Sequence, residues 1–243
     1  MLEGSHRQAN KTQHNYIFAA WLVKTFGQHD LRQGRGVLDI AGGNGGVSFE
    51  LSVRYGIPST LLEMRSDIQL SSMARRRMKR IHNHRCHSMN LDQSPMLKHL
   101  ILHDLAPQDD GVTLPDISTC FDSHDLPFTH FPCKFPEYLS DLVNDPELIS
   151  LVQNASILVG VHPDEATEAI VDTALHFKIP FAIVPCCLHS SLYPHRMLPI
   201  NRAVNSYDLF IEYLAAKHTN IQRVRLPFEG RNICLYCIHY NAT

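Results

Sequence analysis

The sequence predicts an α/β fold in which a doubly wound, mostly parallel β-sheet ends in an antiparallel hairpin, and three observations predict it. Short apolar runs, each typical of a buried strand, alternate along the chain with longer amphipathic runs that are typical of helices. Four glycines in positions 42–46 directly follow the first apolar run, as at a turn from strand to helix. Near the carboxyl end, two alternating runs flank Glu229 and Gly230, which indicates a β-hairpin.

Each element follows from its local pattern. Residues 10–26 place apolar side chains on one broad stripe, which predicts an N-terminal helix (10–27) that ends at Gly27. Pro146 divides residues 137–155 into one or two helical pieces. Besides the hairpin, strands are predicted at residues 36–42, 59–65, 156–161 and 180–188, and further helices at residues 46–56, 66–84, 164–178 and 206–219.

We expect the chain to form one domain, residues 1–243, because this length is enough for a large α/β domain with a substantial core. Residues 88–136 are harder to assign, since they include a stretch rich in proline and aspartate. Loops of such length in compact domains are usually functional covers or disordered. We therefore expect residues 88–136 to form a long irregular cover segment.

Composition and charge narrow the class of protein. The apolar content of 44% and charged content of 19% are ordinary for a globular protein, and no apolar stretch approaches the roughly 20 residues that span a bilayer. Seven cysteines at irregular positions argue against a secreted disulfide framework and favour an intracellular protein, cytoplasmic or organellar. A formal net charge of −2 gives no overall attraction for nucleic acid, so RNA binding would rest on local patches.

The glycine cluster predicts a nucleotide-like cofactor site, because a strand, a glycine turn and a helix start together accept anions or nucleotides at the edge of a sheet. Two sequence frames compete. The dinucleotide fingerprint G-x-G-x-x-G/A matches Gly43 and Gly45, but its third position holds Ser48. The other frame starts at an acid and reads Asp39-x-Ala41-x-Gly43-x-Gly45.

The second frame resembles the first motif, D-x-G-x-G-x-G, of class I S-adenosylmethionine-dependent methyltransferases, with Ala41 in place of the first glycine. The replacement is mild if Ala41 keeps a negative φ. Glu63, which ends the second predicted strand, can accept hydrogen bonds from both ribose hydroxyls of a nucleoside, although its spacing fits a dinucleotide site too. The terminal hairpin favours the second frame, since it resembles the reversed last strand of these methyltransferases and not the usual ending of a dehydrogenase.

This resemblance implies a Rossmann-like fold with a seven-stranded, mostly parallel sheet, and S-adenosyl-L-methionine as the cofactor. The alternative is a glycine-rich turn that binds no ligand. The residues expected to bind the cofactor belong to the motif, to the end of the second strand and to the end of the fourth strand: Asp39, Ala41, Gly42, Gly43, Asn44, Gly45, Glu63 and His162.

A second signature follows the fourth and fifth predicted strands, where ligands of open α/β sheets bind. Residues 160–167 and 185–187 resemble the segments "GNHxDELTPW" and "PCC" of tRNA ribose 2′-O-methyltransferases, notably the tRNA(Ser) uridine enzymes, with departures at Val161 and after Thr167. The resemblance implies an RNA substrate, tRNA or rRNA. The matching residues are Gly160, His162, Asp164, Glu165, Thr167, Pro185, Cys186 and Cys187.

The candidate catalytic residues are His162, Asp164 and Glu165. His162 could act as general base or position a hydroxyl, because an imidazole titrates near neutral pH. Methyl transfer from a sulfonium needs in-line positioning and removal of a proton from the acceptor. For Asp164, capping of the helix that begins at Glu165 is an equally good explanation.

The candidate substrate contacts follow the fifth strand. They are Cys186, Cys187, His189, Tyr193 and Arg196. Tyr193 and Arg196 could stack on bases or pair with phosphate, or they could close the pocket over a small substrate. Adjacent residues at a strand end point to opposite faces, so we expect Cys186 and Cys187 not to share a metal ion, one lining the pocket and the other packing in the core.

Two further patterns have ordinary structural explanations. Cys234 and Cys237 form a C-x-x-C pattern, but in a strand this spacing sends the two thiols to opposite faces, which disfavours zinc; we therefore expect no metal site. The basic run 74–80 could neutralise RNA phosphates, but a solvated helix face explains it better.

The predicted function is that of an S-adenosylmethionine-dependent methyltransferase that acts on RNA. Two alternatives stay open. The near-neutral charge and the cover segment suit a methyltransferase of small molecules. The chain could also be a catalytically silent, methyltransferase-like subunit of an RNA–protein assembly, although Asp39, Gly43, Gly45 and Glu63 argue against that interpretation.

Overall fold

A computed structural model of the protein describes residues 3–88, 120 and 125–240. In these residues seven strands form one sheet and two short strands form a separate antiparallel hairpin. The strands are β1 (Val37–Ile40), β2 (Ser59–Leu62), β3 (Thr129–Phe131), β4 (Ile157–Val161), β5 (Phe181–Val184), β6 (Met197–Leu198), β7 (Arg202–Ala203), β8 (Gln222–Arg225) and β9 (Ile233–Cys237). The sheet order is β3-β2-β1-β4-β5-β9-β8, and only β9 runs antiparallel to its neighbours. The predicted α/β fold with its terminal hairpin is confirmed.

The helices end within a few residues of the predicted positions, but the N-terminal helix begins at Glu3 instead of residue 10, and the helix predicted at residues 66–84 begins at Ser72. Gly27 (φ 83°) follows the first helix, and Gly56 (φ 60°) ends the third in a left-handed cap. The carboxylate of Asp145 accepts hydrogen bonds from two backbone N–H groups at the start of the helix that opens with Pro146. The described helices are α1 (Glu3–Phe26), α2 (Gln28–Leu31), α3 (Gly46–Tyr55), α4 (Ser72–Ser88), α5 (Leu139–Val143), α6 (Pro146–Gln153), α7 (Thr167–Phe177) and α8 (Tyr207–Ala215).

Both faces of the sheet are covered by helices, because alternate strand residues are apolar on each side. On one face Leu38, Leu158 and Ile183 pack in a core that includes residues of α7 and α8. On the other face Val159 and Val184 pack against residues of α1 and α3. This arrangement leaves the carboxyl ends of the parallel strands open, because the helices cover only the two faces of the sheet.

The strand β9 confirms the prediction for its two cysteines. The thiol of Cys234 lies in the core beside α1 and α3, whereas that of Cys237 lies in the core on the other face. Both residues are fully buried. The C-x-x-C pattern is therefore part of the two cores.

The prediction for residues 88–136 is wrong in one part. Thr129–Phe131 form the edge strand β3, which pairs in parallel with β2 in the register Leu61 opposite His130. Residues 89–119 and 121–124, which carry most of the predicted cover segment, lie outside the described residues. No helix in the described ranges has both the length and the apolar character needed to cross a bilayer.

Candidate functional site

A cavity of about 900 Å³ lies at the carboxyl ends of β1, β2 and β4. The glycine turn after β1, the acid after β2 and the histidine after β4 all contribute to its wall, as the topology of an open α/β sheet requires. The predicted site residues in the wall are Ala41, Gly42, Gly43, Asn44, Glu63, His162, Asp164, Glu165, His189 and Tyr193. Five other predicted residues lie outside it: Asp39, Gly45, Cys186, Cys187 and Arg196.

The glycines of the turn are tightly packed except at Gly43. Gly43 and Gly45 are both left-handed, with φ of 62° and 69°. A Cβ at Gly45 would lie 2.4 Å from Cζ of Phe128, so packing alone requires glycine there. A Cβ at Gly43 would meet only the Arg65 guanidinium within 4 Å, at 3.7 Å. Because Gly43 lines the cavity, the turn presents bare backbone on the side where a ligand would lie.

Ala41 does not meet the condition that makes its replacement of glycine mild. Its φ is 52°, so the backbone is left-handed. Its N–H donates to the carbonyl of Leu62 at 2.8 Å, which ties the turn to the end of β2. A left-handed conformation costs a non-glycine residue roughly 1–2 kcal/mol, and such strain is concentrated at ligand sites. The turn is therefore held in a conformation that alanine adopts at a cost.

Asp39 supports the turn from beneath, and it does not reach the cavity as predicted for a cofactor-binding residue. It is fully buried, and its Oδ2 accepts hydrogen bonds from the N–H (3.2 Å) and the hydroxyl (2.9 Å) of Ser48 in α3. The Ser59 hydroxyl donates to that of Ser48 at 2.9 Å. The other carboxylate oxygen of Asp39, Oδ1, is buried without a hydrogen-bond partner among the described residues. This burial raises the pKa of Asp39 to about 6.

Glu63 connects the end of β2 to the glycine turn. Its Oε2 accepts a hydrogen bond from the N–H of Gly43 at 3.0 Å, and its Oε1 accepts one from Nε of Arg65 at 3.2 Å. The side chain is 13% exposed, and that exposed part lies in the cavity wall. A carboxylate oxygen has two lone pairs, so Oε2 retains an acceptor site for a ligand hydroxyl.

One ring nitrogen of His162 is hydrogen-bonded, and the other has no partner among the residues that the structure describes. Its Nε2 lies 3.0 Å from the backbone carbonyl of Arg231. A carbonyl only accepts hydrogen bonds, so Nε2 carries a proton, and in the neutral ring Nδ1 is the acceptor. The ring of His14 lies edge-on to it, with centroids 6.1 Å apart. The side chain can therefore take a proton at Nδ1, as a general base must.

Asp164 and Glu165 have different surroundings. Asp164 (φ 48°) starts a 3₁₀ turn, Asp164–Ala166, and no side-chain capping hydrogen bond occurs there or at the start of α7, so the N-cap explanation is wrong. Its Oδ1 instead accepts a hydrogen bond from the thiol of Cys186 at 3.2 Å. Glu165 is exposed and forms a 3.5 Å ion pair with Lys134, which also lines the cavity.

The two adjacent cysteines do not point to opposite faces, so that prediction is wrong. The strand β5 ends at Val184, and Cys186 and Cys187 lie in the loop beyond it, where the alternation of a strand does not hold. Neither residue lines the cavity. The two sulfurs and a carboxylate oxygen of Asp164 all lie within 4.8 Å of one another.

Arg196 is an internal residue, which contradicts its predicted contact with phosphate. Its side chain is 2% exposed; Nε donates to Glu168 at 2.6 Å and Nη1 to the carbonyl of Leu188 at 2.6 Å. Its guanidinium stacks 3.8 Å from the ring centroid of Tyr193, which lines the cavity. His189 also lines it, and its Nε2 is buried without a partner in the described ranges. Arg196 thus orders the loop that carries Tyr193.

The basic run 74–80 is only partly a solvated face. Arg77 forms an ion pair with the buried Glu50 of α3, and its Nη2 lies 3.2 Å from Oε2 of that carboxylate. Met78 is fully buried, whereas Arg76 and Arg80 are exposed. The run therefore packs α4 against α3. Its two exposed arginines are compatible both with contact to RNA phosphates and with a solvated helix face.

Several wall residues were not predicted from the sequence. His14 and Asn15 come from α1, and Lys134 and Phe135 come from the segment after β3. The last glycine of the cluster, Gly46, was one available signal. A Cβ at this position would lie 1.9 Å from Nδ2 of Asn15, so glycine is needed where α1 comes close. The segment after β3 offered no such signal.

Comparison with known proteins adds no assignment to this geometry: the chain matches neither the models of known protein families nor any curated protein sequence.

Proposed function

We propose that the protein is an S-adenosylmethionine-dependent methyltransferase. The observation that carries this proposal is the link between Glu63 and Gly43 at the edge of the cavity. An acid after β2 accepts a hydrogen bond from the backbone of a left-handed glycine after β1, and both line the same cavity as His162. This arrangement offers a carboxylate for a ribose diol beside bare backbone for the rest of a nucleoside cofactor.

Two observations favour this cofactor over a dinucleotide. The third position of the dinucleotide fingerprint, which glycine or alanine fills so that helix and strand pack closely, holds Ser48. Here the Ser48 side chain is fully buried and donates to Asp39, the acid that starts the competing motif. The last strand β9 is inserted antiparallel between β5 and β8, as the resemblance to class I methyltransferases implies.

The residues in the wall fit such a cofactor. Glu63 would accept from the ribose hydroxyls, and the backbone of Gly43 and Asn44 would lie against the remaining part. Asp39 would act indirectly by holding the turn against α3. When bound, S-adenosylmethionine supplies an electrophilic methyl group. What the chain must then supply is an acceptor held in line and a group that removes its proton.

His162 is the residue that we propose for the proton. The carbonyl of Arg231 fixes the Nε2–H tautomer, so Nδ1 is the basic atom. Truncation of His162 should leave cofactor affinity near that of the wild type, since Glu63 and Gly43 remain. Methyl transfer should fall by roughly 10²–10⁴, the usual contribution of a general base.

We propose RNA as the acceptor. The support is the resemblance of residues 160–167 and 185–187 to tRNA ribose methyltransferases, together with the position of His162, Asp164 and Glu165 after β4 in the cavity wall. A second candidate is a small molecule. The observation that favours it is the burial of Arg196, which removes one expected phosphate contact.

One experiment separates these possibilities. The purified chain is incubated with labelled cofactor and either total RNA or a small-metabolite extract, alongside His162→Ala and, as a matched control, His176→Ala on the exposed side of α7. We expect label in RNA with the wild type and His176→Ala and a loss of roughly 10²–10⁴ with His162→Ala. Label only in the extract moves the protein to the second candidate. Equal labelling by His162→Ala removes His162 from the reaction, and no labelling of either pool contradicts the proposed activity.

A further inference from the structure

Three metal-ligating side chains form a cluster beside the cavity, and the proposed methyl transfer uses none of them. Two neighbouring loops build the cluster. Asp164 follows β4, and Cys186 and Cys187 follow β5. The two strands are parallel neighbours with Val161 opposite Val184, so their loops leave the same edge of the sheet side by side.

We propose that Asp164, Cys186 and Cys187 bind a thiophilic divalent cation, zinc above all. Two thiolates and a carboxylate are donors that Zn²⁺ accepts, and three protein ligands leave the fourth tetrahedral position for water or a substrate atom. Asp164 is part of the cavity wall, so the ion would lie at the border of the cavity. The proposal rests on these side chains alone and is independent of the proposed methyltransferase activity.

The distances suit a tetrahedral ion with small side-chain adjustments. With Zn–S of about 2.3 Å and Zn–O of about 2.0–2.2 Å, neighbouring ligand atoms are about 3.5–3.8 Å apart. In the structure Sγ of Cys186 lies 3.2 Å from Oδ1 of Asp164, and no two ligand atoms of the set are more than 4.8 Å apart. The required movements are about 1 Å, which rotation of the exposed Asp164 and half-buried Cys187 side chains about the buried Cys186 provides.

The surroundings of Asp164 point to a cation as well. Its backbone is held in the left-handed region, yet its side chain caps no helix. In the described part of the chain, no lysine or arginine forms an ion pair with its carboxylate. The loop conformation therefore places this carboxylate against the buried thiol of Cys186. A divalent ion would neutralise this cluster.

Binding of the ion changes the protonation and the charge of the three ligands. Each thiol releases its proton to solvent, and each sulfur and the carboxylate oxygen then donates an electron pair to the ion. Three negative charges surround two positive ones in the product. Without the ion, the Cys186 thiol donates a hydrogen bond to Oδ1 of Asp164.

The test is a titration of the full, reduced chain with Co²⁺, whose thiolate charge-transfer absorption reports sulfur ligation. We expect saturation at one equivalent, tetrahedral ligand-field bands and displacement by Zn²⁺. Cys187→Ser should lose about half of the charge-transfer intensity, and its affinity should fall by at least the roughly 10–100-fold that loss of an outer-shell partner costs. Cys133→Ser, which changes a cavity cysteine outside the cluster, should behave as the wild type.

Two results would overturn the proposal. One is the absence of a charge-transfer band at stoichiometric Co²⁺. The other is a band that Cys187→Ser retains in full. Should Cys187→Ser fail to fold by circular dichroism, X-ray absorption of the zinc-loaded wild type decides: two sulfurs at about 2.3 Å support the site, and fewer than two contradict it. Binding of S-adenosylhomocysteine, measured separately, shows whether the methyltransferase proposal holds whatever the metal result.

Discussion

Asp39→Asn is the substitution that tests most directly whether the carboxyl group beneath the glycine turn is buried. In the wild type, a fully buried carboxyl group accepts two hydrogen bonds from Ser48 through Oδ2, while Oδ1 has no partner in the described ranges. An asparagine amide oxygen can accept the same two bonds. The substitution therefore keeps the shape and the contacts to α3, and it removes the group that titrates.

The magnitude follows from the pKa of Asp39, which burial raises from 3.8 to about 6. Because the folded state then binds more protons than the unfolded state between about pH 4 and pH 6, the free energy of unfolding falls as the pH rises through this range. A difference of about 2 pH units corresponds to about 3 kcal/mol. We expect the wild type to lose up to about 3 kcal/mol from this group between pH 4 and pH 7 and Asp39→Asn to lose none of it.

The assay is urea unfolding between pH 4 and pH 7, followed by the fluorescence of Trp21, the single tryptophan. Asp67→Asn, which changes an exposed carboxyl group, is the matched control and should follow the wild type. Parallel pH profiles of the wild type and Asp39→Asn would contradict the raised pKa of Asp39. Such a result would mean that Oδ1 of Asp39 is solvated or paired in solution.

Two further substitutions test the packing around the cavity. Ala41→Gly should raise the free energy of unfolding by up to about 1 kcal/mol, because relief of the left-handed strain outweighs the added entropy of the unfolded chain. A free energy of unfolding below that of the wild type, measured by urea unfolding, would contradict this expectation. Glu50→Ala should lower the free energy of unfolding by about 3 kcal/mol or more. The substitution removes the carboxylate that the buried guanidinium of Arg54 shares with that of Arg77. The exposed Glu229→Ala is the control, and an equal, small effect of both alanine variants would show that the ion pairs contribute little.

The central strands could be predicted because they are buried on both faces and therefore read as short, largely apolar runs. The strand β3 could not. Thr129, His130 and Phe131 form a three-residue edge strand without an apolar run, and only its pairing with β2 defines it. The separate hairpin β6–β7 is shorter still, and its sequence resembles a loop.

The residues of the candidate site also include some that the sequence could predict and some that it could not. Gly43 and Glu63 could be predicted because spacing along one strand-turn-helix-strand unit fixes where they lie. Arg196 could not, because the carboxylate that neutralises it belongs to Glu168, 28 residues away in a different element. The convergence of Cys186 and Cys187 escaped prediction because β5 ends before them, and strand alternation no longer applies.

The central claim is that the glycine turn and Glu63 bind S-adenosylmethionine, and a calorimetric titration with S-adenosylhomocysteine, repeated with NADH, tests it most directly. We expect the wild type to bind S-adenosylhomocysteine and Gly43→Val not to bind it. In Glu63→Ala the affinity should fall about tenfold or more, because charge-assisted hydrogen bonds are removed. Gly230→Val, which strains another left-handed glycine with open space around it, should bind normally. Preferential binding of NADH, or unchanged affinity in Gly43→Val, would contradict the account.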